Sequence, residues 1–358
     1  MNSAETTHNS TLPADLPAHL LAWYDKCRRI LPWREDPTPY HVWVSEIMLQ
    51  QTRVEAVIPY YERFLRELPD VASLAGAPEE RLLKLWEGLG YYSRVRNMQK
   101  AAIQIMELYD GQLPSEPAQL IRLSGIGAYT AAAIASIAFQ YPAVSVDGNL
   151  MRVYARLIRY GENIAVPSAK KAAEQAYLEV LPKDRPGDMN QALMDLGATV
   201  CLPSGTPLCG KCPLQTLCAA HAQGCETSIP IPKEKTARRV RKCTVLIVRD
   251  GERVLLHKRP KKGLLAGLYE FPNVDGVLTE QEARQAAESY GFSVTEITPL
   301  PPARHVFTHL VWEMTGYSVR IETSNGAVLP EDCMFIFVDQ MRKNAALPSA
   351  FSAYSDLL

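Results

Sequence analysis

Residues 123–131 read LSGIGAYTA and run straight into AAAIASIAF, which ends at Phe139. Two glycines one residue apart, Gly125 and Gly127, let the backbone turn tightly between two helices. Exposed N–H groups in such a turn, with the N-terminus of the following helix, can hold a phosphate oxygen without any side-chain charge. The same spacing also serves an ordinary helix–helix turn, so the surrounding sequence has to decide between the two.

Outward from this turn the pattern is helical from about Pro13 to Ala220. A first helix is predicted over Pro17–Ile30, with Leu20, Leu21, Trp23 and Ile30 on one broad face. Further helical stretches cover 40–52, 53–68, 79–88, 94–109, 117–123, 128–138, 147–160, 168–180 and 188–200, punctuated by glycine and proline. No period of 20–50 residues marks a solenoid. Residues 1–12 are polar and read as a disordered tail. The pattern changes after Cys225. Residues 226–242, ETSIPIPKEKTARRVRK, combine proline with six basic residues and read as an exposed linker. Two β-rich runs then flank Asp250-Gly251, a hairpin signal. FPNV, a helical stretch near 279–290, HVFTHLVWEMTGYSVRIE and MFIFVD complete an α+β pattern over 243–358. The prediction is a multidomain chain, with an all-α region over 13–225 and a smaller α+β domain at the C-terminus.

Bulk properties agree with two domains and say little about partners. The 358 residues exceed one typical domain, and 47% hydrophobic with 22% charged side chains is ordinary globular composition. Disordered, coiled-coil and collagen-like chains are excluded. No apolar run approaches 18 residues, and the first residues lack the basic and apolar regions of a signal peptide, so an intracellular protein is expected. The net charge is −1; residues 1–225 carry 21 basic and 23 acidic side chains, and the remainder 17 and 16. Any nucleic-acid surface must therefore be a local patch.

Four of the eight cysteines crowd together, Cys201, Cys209, Cys212 and Cys218, spaced C-x7-C-x2-C-x5-C. Four thiolates on a short loop of an intracellular protein suit a 4Fe–4S cluster. Structural zinc is the rival, but it usually shows two short-spaced pairs, and only Cys209 and Cys212 form one here. Cys27, Cys225, Cys243 and Cys333 are scattered and read as packing or surface residues.

With LSGIGAYTA, VDGNLMRV at 146–153 and the four-cysteine loop together, the chain resembles the helix–hairpin–helix, endonuclease III-like DNA glycosylases. WVSEIMLQQTRVEAVIPYY at 43–61 and GLGYYSRVRN at 88–97 narrow the resemblance to the MutY family of adenine DNA glycosylases. It covers essentially the whole chain beyond the first dozen residues. One departure concerns the cysteine loop, where the family usually has six residues between the first two cysteines and this chain has seven.

The resemblance implies excision of adenine mispaired with 8-oxoguanine or guanine in double-stranded DNA, leaving an abasic site for base excision repair. It also implies a 4Fe–4S cofactor, a monomer and a bacterial cytoplasmic setting. Adenine leaves poorly until a ring nitrogen is protonated, and its departure leaves positive charge on the sugar. An acid on the base side and a carboxylate on the sugar side lower the two costs separately, as in glycoside hydrolysis. Glu46 lies among Trp43, Val44, Ile47 and Met48, a setting that raises a carboxyl pKa; by resemblance it protonates adenine N7. Asp147 opens a helix, where capping is its ordinary role; by resemblance it stabilises the oxocarbenium ion, with Tyr129 and Asn149 assisting. A solvated helix carboxylate for Glu46, and packing or capping for Tyr129 and Asn149, are the plainer alternatives. Relatives that also cleave the strand carry a Schiff-base lysine where this chain has Tyr129, so a monofunctional enzyme is expected.

The target base has to leave the duplex before it can react. Gln51, Leu49 and Tyr91 match residues that wedge into DNA beside the lesion, and helix packing is their alternative. Arg34, Arg94 and Arg96 are candidates for phosphate or pocket contacts, and Lys211, inside the cysteine loop, for a phosphate contact. The C-terminal region resembles a Nudix domain, but Glu270, Glu280, Glu282 and Glu288 do not form the glutamate-rich box that holds a divalent metal. It therefore reads as a recognition module. HVFTH at 305–309 matches the family's 8-oxoguanine loop, with Phe307, Thr308 and His309 as candidates, against a plain alternating strand. The family often has serine where this chain has Thr308. A bifunctional glycosylase, a non-catalytic iron–sulfur DNA-binding protein and a nucleotide-pool hydrolase are the competing functions. Tyr129, the Glu46–Asp147 pair and the missing glutamate box argue against each in turn.

Overall fold

The computed structural model describes residues 11–231, 237–322 and 329–358. Residues 1–10 of the expected tail and 232–236 of the expected linker lie outside them. Two compact units emerge, one within residues 1–76 and 97–234, the other within 77–96 and 235–358.

The helices in chain order are α1 (Leu16–Cys27), α2 (Pro32–Glu35), α3 (Pro39–Leu49), α4 (Val54–Glu67), α5 (Val71–Gly76), α6 (Glu79–Leu85), α7 (Ser93–Leu108), α8 (Pro117–Leu120) and α9 (Ala128–Phe139). They continue with α10 (Gly148–Leu157), α11 (Pro167–Glu179), α12 (Pro186–Thr199), α13 (Ala219–Ala222), α14 (Glu280–Glu288), α15 (Val338–Asn344) and α16 (Ser352–Ser355). The predicted first helix stops at Cys27 and restarts at Pro32, because a proline in a first turn opens a helix better than it continues one. Leu12, assigned to the tail, is buried in the core with Leu16 and Leu20.

Two helices of the first unit are buried almost all round. In α9, residues 130–137 are all buried, and in α3 only the ends reach solvent. Such helices carry little amphipathic stripe, since neighbours cover every face. Their ends are set locally: Thr38 accepts a bond from His41 N at 3.2 Å to start α3, and Gln140 closes α9 in the left-handed region. The N-terminus of α12 lies tight against the end of α9. A methyl group on Gly187 would sit 2.6 Å from the Ser136 carbonyl oxygen, so only glycine fits there. Buried Asn190 knits the two helices: its Nδ2 donates to Ser136 Oγ at 2.9 Å and to the Ala143 carbonyl at 2.8 Å, and its Oδ1 accepts from Ser145 N at 3.0 Å.

The second unit is built on a mixed sheet of seven strands among the described residues: β1 (Arg239–Asp250), β2 (Arg253–Lys258), β3 (Tyr269–Glu270), β4 (Asn273–Asp275), β5 (Ser293–Val306), β6 (Leu310–Glu322) and β7 (Cys333–Phe337). The order is β3-β2-β1-β6-β5, with β4 also on β1 and β7 also on β2. The hairpin foreseen at Asp250-Gly251 joins β1 to β2, with Asp250 opposite Arg253. The parallel register of β1 on β6, from Arg239 opposite Leu310 to Arg249 opposite Arg320, was not foreseen. Alternate residues of β1 serve two cores. Cys243, Val245 and Ile247 face Phe271, Trp312, Phe351 and Tyr354, while Leu246 and Val248 face Ala283 and Ala287 of α14. The last residues expected in the linker, from Arg239, are already strand.

HVFTH at 305–309 is not a plain alternating strand: residues 307–309 turn between β5 and β6, closed by Phe307 N donating to the Leu310 carbonyl at 2.8 Å. One further finding differs from the sequence reading. Residues 77–96, read as part of the helical region, pack with the C-terminal sheet. Lys84 Nζ donates to the Ala345 carbonyl at 3.1 Å, Leu347 N to Glu87 Oε1 at 2.7 Å, and Lys258 Nζ to Glu80 Oε1 at 3.0 Å.

Candidate active site

In the first unit, α3 carries Glu46 into the interior with only 6% of its surface exposed. A small cleft there is lined by Arg29, Trp33, Arg34, Glu46, Leu49, Gln191 and Met194. Burial pushes the Glu46 carboxyl up to about 7, and the negative charge of Asp147 adds to the rise. A hydrogen bond from Tyr129 and the charge of Arg34 act the other way. The carboxyl thus keeps a proton to give near neutrality.

Asp147 caps α10. Its Oδ1 accepts from Leu150 N and its Oδ2 from Asn149 Nδ2, each at 2.8 Å. Burial raises its pKa, but these bonds and the charge of Arg152 oppose the rise. Capping thereby aims a hydrogen-bonded carboxylate at the same neighbourhood as Glu46. Tyr129, on the first turn of α9, bonds Glu46 and lies 3.9 Å through its hydroxyl from Met194 Sδ; burial drives its own pKa well above the usual value. Asn149 is fixed from behind, because Arg152 Nη2 donates to its Oδ1 at 2.9 Å and to the Gly197 carbonyl at 2.8 Å. The four catalytic candidates therefore form one cluster.

Arg34 does not present an open guanidinium to phosphate. It is clamped bidentately on Asp195 at 2.7 and 2.9 Å and faces the cleft, which leaves it a pocket residue. The sequence reading missed Asp195, Gln191, Met194 and Trp33. The α12 residues carry no local motif, and their only signal was membership of a helix. Gly125 is in the left-handed region at φ 76°, Gly127 caps α9, and both are exposed, which leaves the turn open to a ligand. Gln51 is exposed just past α3, also at positive φ.

The cysteine loop folds back on α10. Cys201, Cys209, Cys212 and Cys218 line one small cavity with Arg156, Gln215, His221 and Glu226. Arg156 Nη1 donates to Cys201 Sγ at 3.1 Å, and Arg152 Nε to the Cys201 carbonyl at 2.8 Å. Burial raises the thiols of Cys209, Cys218 and Cys212, the last to about 12. Sulfur ligands must be thiolates, and a metal charge is what would favour thiolates in so dry a site. Among the described residues the buried atoms His221 Nδ1 and Glu226 Oε2 have no hydrogen-bond partner, and Cys209, His221 and Glu226 have ligand atoms within 4.8 Å of one another. The donor set suits a metal centre. Lys211 is exposed at the end of the turn between Cys209 and Cys212.

In the second unit, a cleft of about 540 Å³ is lined by residues 88–93, the 263–266 loop and the 305–310 turn, within the size range of small-ligand sites. Tyr91 is 47% exposed, and its hydroxyl shares a short hydrogen bond with Thr308 Oγ1. Thr308 and His309 are exposed, whereas Phe307 packs on Trp312 with ring centroids 5.1 Å apart and anchors the turn. Arg94 is buried. Its guanidinium donates to the Leu89 and Gly90 carbonyls, each at 3.0 Å, and covers the Trp86 and Tyr91 rings, so it props the 88–91 loop and is a poor phosphate contact. Arg96 is likewise engaged, by Glu79 at 2.6 Å and the Ala266 carbonyl at 2.7 Å. Of the Nudix-region carboxylates, Glu282 closes a capping box with Thr279, and buried Glu270 is held by His257 and Arg259.

A family model described as HhH-GPD superfamily base excision DNA repair protein matches residues 44–183, and a NUDIX domain model matches 243–356. Fold and site together define a helix–hairpin–helix base-excision glycosylase with a Nudix-type domain. The adenine DNA glycosylase of Mus musculus is 33% identical over 95% of this chain and 78% of its own length, and that of Rattus norvegicus 36% identical over 85% and 70%. The chain belongs to the adenine DNA glycosylase family and is a DNA N-glycosylase. Among solved structures, a thermostable thymine-DNA glycosylase aligns at 27% identity and a TM-score of 0.52, over 58% of this chain and 95% of that one. Among the described residues no helix is long and apolar enough to cross a membrane.

Proposed function

We propose that this chain removes adenine paired with 8-oxoguanine or guanine, by hydrolysis without strand cleavage, as a monomer acting on DNA in a bacterial cytoplasm. The observation that carries the chemistry is the buried Glu46 carboxyl, held near pH 7 beside a hydrogen-bonded Asp147. Glu46 gives its proton to a ring nitrogen of the flipped adenine, turning it into a neutral leaving group. Asp147, held by Leu150 N and Asn149, faces the sugar as positive charge develops on it. Glu46, then ionised, receives a proton from the water that attacks the sugar. Tyr129 supplies a phenol where strand-cleaving relatives supply an amine, so no Schiff base forms.

Gly125 and Gly127 hold a backbone phosphate, with Lys211 adding a second contact. Gln51 and Leu49 fill the gap left by the extruded base. Tyr91, Thr308 and His309 read the base opposite, with Phe307 as the anchor of their turn. The region 243–358 is thus a recognition domain, joined through the basic segment 226–242 to the helical catalytic region. Cys201, Cys209, Cys212 and Cys218 hold a 4Fe–4S cluster, which when bound ties four thiolates into one rigid loop.

The test is single-turnover cleavage of a duplex with one 8-oxoguanine:A pair, run with and without hot alkali before the gel. Scission at adenine only after alkali is the expected result. Scission without alkali contradicts the monofunctional reading, and none in either lane contradicts excision.

A further inference from the structure

Asp195, on α12, is 1% exposed, a position where a carboxylate needs close partners. It has them: Arg29 N at 3.2 Å, Arg29 Nε at 2.7 Å, Arg29 Nη2 at 2.6 Å, Arg34 Nη1 at 2.7 Å and Arg34 Nη2 at 2.9 Å. Its pKa is held below the usual carboxylate range by the bonds and charges of Arg34 and Arg29, against the effect of burial. One negative charge thus serves two arginines. Arg34 is itself largely buried and shares the cleft wall with Glu46.

That sharing creates a conflict. A cation beside an acid favours the ionised form of the acid and works against its keeping a proton. Arg34 acts on Glu46 in this sense, whereas burial and Asp147 act in the opposite one. The charged and titratable groups around Glu46 are Arg34 from α2, Tyr129 from α9 and Asp147 at the head of α10. Arg29, the other arginine on Asp195, also lines the cleft; Asp195 from α12 holds Arg34, and the Tyr24 ring lies 5.7 Å from the Arg34 guanidinium.

We propose that Asp195 is a positioning residue of the glycosylase reaction: it fixes the Arg34 guanidinium against the cleft and offsets its charge, so that Arg34 lines the base pocket without stripping the proton from Glu46. The cleft keeps a rigid planar donor and a protonated acid side by side. Without Asp195, Arg34 would face Glu46 as an uncompensated cation and would be free to reach for its carboxylate. The inference rests on the reading of Glu46 as the proton donor.

The test is the pH dependence of single-turnover adenine excision by the full-length, metal-loaded protein. In the wild type the rate falls as pH rises through the Glu46 inflection near neutrality. An Asp195→Asn variant moves that inflection to lower pH by roughly one pH unit or more, the effect of an opposite charge at close range. Its rate at pH 8 then falls about tenfold or more below wild type, because on the alkaline limb the protonated fraction of an acid drops roughly tenfold when its pKa falls by one. The low-pH rates converge. Asp195→Glu, which keeps the charge, restores the inflection. Should Asp195→Asn fail to fold, Arg34→Gln provides the opposite perturbation, because it removes the cation and moves the inflection up. A uniform loss of rate with an unmoved inflection, or no movement in Arg34→Gln, overturns the proposal. A wild-type profile with no alkaline limb overturns the reading of Glu46 itself, and this inference with it.

Discussion

Replacing Gly197 by alanine is expected to perturb catalysis without touching any of the groups proposed to react. A methyl group there would lie 2.5 Å from Asn149 Cβ, 3.0 Å from its Cγ and 3.1 Å from its Oδ1. Gly197 cannot simply retreat, because its carbonyl accepts Arg152 Nη2 at 2.8 Å and α12 is packed in the core. Asn149 has to move instead, giving up the 2.8 Å bond to Asp147 and the 2.9 Å bond from Arg152. A hydrogen bond to a charged group contributes about 1.5–3 kcal/mol. Lost from the Asp147 carboxylate as charge develops on the sugar, that is roughly a ten- to hundredfold fall in excision rate. The stability change is smaller in proportion. Overpacking costs about 1–3 kcal/mol, and alanine recovers about 1 kcal/mol over glycine in a helix. Single-turnover excision and thermal melting, measured beside Gly161→Ala, where the new methyl meets nothing within 4 Å, separate the two effects. A wild-type rate in Gly197→Ala, or a rate loss no larger than its loss of folded protein, would refute the coupling between α12 and Asn149.

Glu46→Gln removes the proposed proton donor while keeping the volume of the side chain. Excision is expected to vanish with mismatch binding in gel shift largely retained, and full single-turnover activity would remove Glu46 from the mechanism. Changing Thr308 and His309 together to alanine is expected to lower the rate ratio for 8-oxoguanine:A over G:A, because it deletes the Tyr91–Thr308 bond and both exposed side chains of the 307–309 turn. An unchanged ratio counts against that turn as the reader of the opposite base.

Local chemistry made much of this protein legible in its sequence. The glycine spacing at 125 and 127, the crowding of Cys201 to Cys218, the apolar neighbours of Glu46 and the capping position of Asp147 are all features of a few adjacent residues. Backbone conformation and side-chain setting at such places depend mainly on the near chain, so the helical segments, the Asp250-Gly251 hairpin and the change of pattern after Cys225 could be read directly. What runs between distant segments could not. Asp195 meets Arg34 across 161 residues of chain, and nothing near either one announces the other. Gln191 and Met194 reach the Glu46 cleft only because Gly187 lets α12 approach α9. The residues 77–96 look like ordinary helix until Glu80, Lys84 and Glu87 are seen to bond the C-terminal domain. The parallel register of β1 on β6 likewise follows from how two hydrophobic faces are covered, a property of the folded sheet that no single strand displays. The sequence by itself determined the local setting of the groups proposed to do the chemistry. Tertiary structure decided which charges surround them, because the proton held by Glu46 depends on burial and on neighbours that packing alone brings near.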